Sequence, residues 1–188
     1  PYHSSVMKRW FAALGLFLLL GLPVQAKQGD ARLEPLFKQL HEVKDDGEAK
    51  TIEQAIWGIW LESGSQSVDL LMLGGINAMQ EEDYPKALEL FNAVVEVAPD
   101  FAEGWNKRAT LYFIMGDYNA SIADIQKVLA LEPRHFGALS GLGEIYDQLG
   151  NPGSALHAYA RALAADPHLD GLKDRVRDLD RKLHGTPL

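Results

Sequence analysis

VDLLMLGGINAMQEEDYPKALELFNAVVEVAPDF (68–101) runs without a gap into AEGWNKRATLYFIMGDYNASIADIQKVLALEPRH (102–135) and FGALSGLGEIYDQLGNPGSALHAYARALAADPHL (136–169). These three blocks of 34 residues stay in register throughout. Position 8 is Gly75, Ala109, Gly143, and position 20 is Ala87, Ser121, Ala155. Position 27 is Val94, Val128, Ala162, and position 32 is Pro99, Pro133, Pro167. Bulk recurs at position 4 (Leu71, Trp105, Leu139), position 11 (Ala78, Tyr112, Tyr146, the first a small exception) and position 24 (Phe91, Ile125, Tyr159).

The residue types explain a helix–turn–helix unit. Small residues at 8 and 20 let two helices approach closely, while bulky ones at helical spacing fill the space that one unit cannot bury alone. Asp83, Asp117 and Asn151 at position 16 are N-cap types for the second helix. Pro152 follows at the first helical position, where its missing N–H is harmless. Gly116 and Gly150 end first helices, and the prolines at 32 push the preceding residue out of helix.

This period and these residues resemble the tetratricopeptide repeat, whose motif has Trp, Leu, Gly, Tyr, Ala, Phe, Ala and Pro at these places. The resemblance implies an all-α fold, a right-handed superhelical stack of helix–turn–helix units at 68–101, 102–135 and 136–169. It also implies a concave surface lined by first helices. Mapped onto the chain, that groove presents Asp69, Met72, Ile76 and Met79, then Glu103, Asn106, Lys107, Thr110 and Phe113, then Ser140, Glu144 and Asp147. Family members that hold an acidic chaperone C-terminus use a set of Lys, Asn and Arg. Met72, Ile76, Gly137 and Gly141 stand where that set is needed, so a strongly acidic partner is disfavoured. Asp69, Glu103, Glu144 and Asp147 instead suit a segment with some Lys or Arg, and Met72, Ile76, Met79 and Phe113 suit apolar side chains.

Flanking the blocks, residues 27–67 read as a helical pair, Leu33–Val43 and Glu48–Glu62, in which half the repeat motif survives. Phe37, Leu40, Trp57 and Trp60 fall on bulky positions, but His41 and Glu53 replace the small residues at 8 and 20. A degenerate unit capping the stack is the expectation, with an exposed Ile56, Trp57, Ile59 and Trp60 surface for a partner or second copy as the sharper alternative. Residues 170–188 carry Leu172, Val176, Leu179 and Leu183 at helical spacing among charges, which reads as a C-terminal capping helix.

At the other end, Lys8 and Arg9 precede an apolar run from Trp10 to Leu22 and a small-x-small pattern, Val24-Gln25-Ala26. A membrane span needs about 20 apolar residues. This run is shorter and meets Pro23, so residues 1–26 read as upstream residues and a signal peptide, with Met7 as the natural start and an uncleaved anchor as the other reading. The mature chain is then expected to be exported, periplasmic or secreted, and not membrane-bound.

Composition narrows the function. The chain has 18 basic and 26 acidic residues, a net charge of −8, which disfavours nucleic acid and anionic membranes as partners. With no cysteine there is no disulfide, thiol catalysis, cysteine-bound metal or lipid-modified N-terminal cysteine. No two of His41, His135, His157, His168 and His184 share the i, i+4 spacing of a metal-binding helix. Gly141-Leu142-Gly143 lies in a repeat helix with no preceding strand, so it is no dinucleotide fingerprint, and Ser140 is no nucleophile elbow. The expectation is a non-catalytic, cofactor-free scaffold of the bacterial cell envelope that binds a protein or peptide, as a monomer or weak homodimer. The alternative is a structural protein self-associating through the Trp-containing or C-terminal helix.

Overall fold

The computed structural model describes residues 29–185. The expected signal peptide, residues 1–26, and the final three residues lie outside this range. Among the described residues the elements are α1 (Leu33–Glu42), α2 (Asp46–Trp60), α3 (Gln66–Gln80), α4 (Tyr84–Val97), α5 (Ala102–Ile114), α6 (Tyr118–Leu131), α7 (Phe136–Gln148), α8 (Pro152–Ala165) and α9 (Leu172–His184). None of these helices is long and apolar enough to cross a membrane.

Helices α3 to α8 form three antiparallel pairs, α3 with α4, α5 with α6 and α7 with α8, each stacked on the next. Close approach within a pair is set by position 8. A Cβ on Gly75 would lie 2.5 Å from Phe91 Cε1, and one on Gly143 2.4 Å from the Tyr159 ring. Position 24 thus packs on position 8 of its own unit. The second unit trades volume across the same contact, with Ala109 against the smaller Ile125. There the buried Ser121 hydroxyl also donates to the Ala109 carbonyl at 2.7 Å.

The turn inside each unit is built alike. Asp83, Asp117 and Asn151 accept from the N–H groups of Lys86, Ala120 and Ser154, capping α4, α6 and α8. Just before the cap the backbone is left-handed, with φ of 78° at Gly116 and 68° at Gly150. The first unit makes the same turn without glycine, holding Glu82 at φ 60°.

The N-terminal pair departs from the expected cap. A zeroth unit would lay α2 on α3. Instead α1 and α2 lie along the edge of the stack, across the turns that lead from one unit into the next. His41 Nε2 is 2.8 Å from the Ala164 carbonyl, and Arg134 pairs with Glu34 at 2.9 Å and lies over the Phe37 ring. At the third turn His168 meets Asp46 at 3.2 Å, and Lys50 meets Asp170 at 3.5 Å. Leu33, Phe37, Leu40, Ile56 and Trp60 share one core with Phe136 and Ala165. The physical reason is in the residues themselves. His41 and Glu53 deny the pair the close approach a repeat requires, whereas its apolar face finds the open ends of the turns.

Ile56 and Trp60 are consequently buried and Trp57 and Ile59 half-buried against the same core, contrary to the alternative of an exposed, partner-facing surface. Trp60 is buried, its ring stacked on His135 at 4.1 Å and 9°, and Trp57 meets it edge-on at 5.2 Å. The apolar side of α9 is also used within the chain. Leu179 is buried with Ala155 and Tyr159, while Leu172 and Val176 pack beside them. Self-association through either helix, as set out above, would require undoing these contacts.

Candidate functional site

The first helices α3, α5 and α7 line the concave face, and a cavity opens on it between α5 and α7. Small residues create it. Gly137, Ser140 and Gly141 on α7 leave a cavity of about 440 Å³ facing Asn106, Thr110, Phe113 and Ile114 of α5. A Cβ on Gly141 would meet nothing within 4 Å. The floor is Ala109, Ile125, Ala138 and Ile145 with the buried Ser121, and the Glu144 carboxylate stands exposed at the mouth. An apolar floor with a few polar groups at the rim suits a side chain presented on an extended segment.

Five residues read from the sequence as groove residues meet at this cavity: Asn106, Thr110, Phe113, Ser140 and Glu144. The others are placed differently. Met72 is buried in the core of the first unit, with Ile76 and Met79 packed against that core. Asp69 is exposed and accepts from the Ser63 hydroxyl. Asp147 is held by α9, 2.7 Å from Arg175, and also accepts from the Tyr159 hydroxyl.

Glu103 is wholly buried, so it is not presented to a ligand. Its carboxylate accepts from the Asn106 amide at 3.0 Å and pairs with Lys107 at 3.2 Å. His135 completes this cluster. Its Nδ1 accepts from the Ala138 N–H at 3.1 Å, capping α7, which leaves Nε2 to donate to Glu103 at 3.2 Å. Burial works to raise the Glu103 carboxyl, but His135 and Lys107 outweigh it and hold it below the ordinary carboxylate value. The Asn106 side chain is thereby oriented at the cavity, and Lys107 is occupied.

Above the cluster, Trp60 covers His135 while Trp57 abuts Gly137, at one end of the cavity. A Cβ there would come 2.8 Å from Trp57 Cη2. The N-terminal pair thus bounds the groove at the start of α7. His135 and Trp57 were not read as groove residues from the sequence. His135 ends a block where the motif demands nothing, and the two tryptophans gave only a spacing of three, with no sign of which surface they would meet. Among the described residues no three His, Cys, Asp or Glu side chains are grouped to hold a metal ion.

Comparison with known proteins bears on the fold. Residues 73–118 and 106–170 match the family profile described as tetratricopeptide repeat. The chain is 42% identical over 155 residues to a TPR repeat-containing protein of Rhizobium etli, covering 82% of this chain and 76% of that protein. It is 29% identical over 120 residues to the small glutamine-rich tetratricopeptide repeat-containing protein 2 of Saccharomyces cerevisiae, covering 64% of this chain but 34% of that protein. Among solved structures, the first TPR of Spaghetti (RPAP3), bound to the HSP90 peptide SRMEEVD, superposes with a TM-score of 0.59 at 21% identity. That match covers 63% of this chain and 94% of the other. With three in-register 34-residue units, their paired helices and a relative this similar along most of both lengths, the chain belongs to the tetratricopeptide-repeat family.

Proposed function

We propose that this protein is a non-catalytic interaction scaffold that holds an extended segment of a partner protein in its concave groove, with one apolar side chain of the partner in the cavity between α5 and α7. The observation that carries this reading is the cavity itself, apolar at its floor and rimmed by Asn106, Thr110, Ser140 and Glu144. A segment crossing it meets an amide and hydroxyls for its backbone, and the Glu144 carboxylate for a Lys or Arg beside the anchor.

The HSP90 peptide bound by the Spaghetti domain carries Glu, Glu and Asp near its end. The groove here has Gly137 and Gly141 on α7, and its Lys107 is already paired with Glu103. A basic or neutral segment fits better than an acidic one. The N-terminal pattern, from Lys8 to Ala26, supports export, so the partner is a protein of the bacterial envelope, met in the periplasm by a chain released from its signal peptide.

A display selection from a random-peptide library on the immobilised chain tests this. It should yield peptides with a shared apolar residue flanked by Lys or Arg, and their binding should be markedly weakened in Gly141→Leu. Recovery of acidic peptides, or of peptides that bind Gly141→Leu equally well, would overturn the reading.

A further inference from the structure

A side of α3 away from the cavity ends the stack. Positions 3 and 10 of each first helix face the preceding unit. In the second and third units these positions, Gly104 and Leu111, then Ala138 and Ile145, are buried. In the first unit the same positions are Leu70, 69% exposed, and Asn77, also exposed, with Leu73 between them at 55%. Gln66 and Gln80 extend the row. The five residues recur at alternating spacings of four and three, the seam along which two helices pack. Because α1 and α2 lie along the edge of the stack, no helix of the described residues packs over this seam.

We propose that this stripe is a homodimer interface, in which α3 of one copy packs antiparallel on α3 of a second across a two-fold axis near Leu73. Three observations select a second copy. First, the seam carries no charged side chain, although the chain has a net charge of −8, so a second copy can approach along it without bringing like charges together. An antiparallel pairing centred on Leu73 sets Gln66 against Gln80, so no like charges meet on the seam.

Second, the face is not shaped for a further repeat. In the stack, position 3 must be small, since a Cβ on Gly104 would already come 2.6 Å from Val94 Cγ1. Leu70 at that position holds off a helix approaching at repeat spacing. Third, the other end of the stack is closed by α9, whose buried Leu179 faces inward and whose outer surface is charged. Head-to-tail growth has no acceptor there, and the remaining arrangement is a closed pair.

This interface is separate from the α5–α7 cavity, so the two readings succeed or fail independently. The test uses the chain expressed with its N-terminal residues in place and purified as it accumulates. Because the chain has no cysteine, Leu73→Cys and the equally exposed control Leu149→Cys each introduce a single thiol. Mild oxidation should give a covalent dimer with Leu73→Cys alone. In sedimentation equilibrium the wild type should dimerise, and Leu70→Glu with Leu73→Glu should lose the dimer while retaining its helical circular dichroism. A wild type that stays monomeric across the concentration series would overturn the proposal, whatever covers the stripe. So would equal crosslinking at both thiols, or a double variant that still dimerises.

Discussion

Replacing Gly141 by leucine separates the stability of the fold from the use of its cavity. Glycine inside a helix costs about 0.8–1 kcal/mol relative to alanine, and leucine is nearly as good a helix former as alanine. A Cβ at this site meets nothing within 4 Å, so the gain is not offset by a clash. Gly141→Leu should therefore stabilise the chain by about 1 kcal/mol, a rise in Tm of about 2–4 °C for a domain of this size. Its side chain projects into the cavity of about 440 Å³ and takes the space of the partner's anchor. Burying one such anchor contributes about 1.5–3 kcal/mol. Binding of a selected peptide should then weaken by about ten- to a hundredfold. Gly141→Ala is the control, with the same stabilisation and little obstruction. Thermal melts followed by circular dichroism and titration calorimetry read the two effects. A leucine variant that melts lower shows that the space is not open, and one that binds as tightly as wild type shows that the anchor sits elsewhere.

Other consequences follow from single sites. Glu82→Gly, which relieves a left-handed side chain at φ 60°, should raise stability by about 1 kcal/mol in urea unfolding, and a loss would contradict the turn described here. Trp60→Ala should cost about 3–5 kcal/mol. Much of that should appear as detachment of α1 and α2, seen as proteolytic cleavage in residues 61–65 while the repeats stay intact. A variant cut first within the repeats would contradict that division.

Attachment of α2 should also depend on pH. Burial, then the nearby Asp166 carboxylate, pushes Glu53 above the ordinary carboxylate value, and burial raises Asp166 as well. A raised acid stabilises fully below its ordinary pKa, and the contribution is lost as pH rises through the raised value. Amide exchange in α2, corrected for intrinsic rates, should lose protection relative to α5 as the pH rises above the ordinary carboxylate range. His41, His168 and Asp170 face the same junction. Glu53→Gln, with a permanent donor toward Asp166, isolates the carboxyl: an unchanged pH dependence in that variant would assign it to these neighbours.

The repeats were legible because their constraints are local and recur. The same glycine–aromatic contact appears at Gly75 with Phe91 and at Gly143 with Tyr159, and the same cap recurs at Asp83, Asp117 and Asn151. Register, together with the groove positions that the family resemblance implies, placed Asn106, Thr110, Phe113, Ser140 and Glu144 on one surface. It could not show that Glu103 is buried, because its partner His135 lies at the end of the block and its roof comes from Trp60, 43 residues before it in the chain. Nor could it place α1 and α2. Their apolar spacing is equally compatible with stacking on α3 or lying across the turns, and only the tertiary fit to Phe136, Ala165 and Leu169 distinguishes the two. Asp147 was likewise assigned to the groove before α9 brought Arg175 to it.

The most direct test of the central claim is to map a selected peptide on the isotopically labelled chain by amide chemical shifts. The groove reading predicts perturbations concentrated at Asn106, Thr110, Phe113, Ser140, Gly141 and Glu144, with the outer helices α4 and α6 unaffected. Perturbations confined to α3 near Leu70 and Leu73, or to α9, with the cavity residues unmoved, would contradict it.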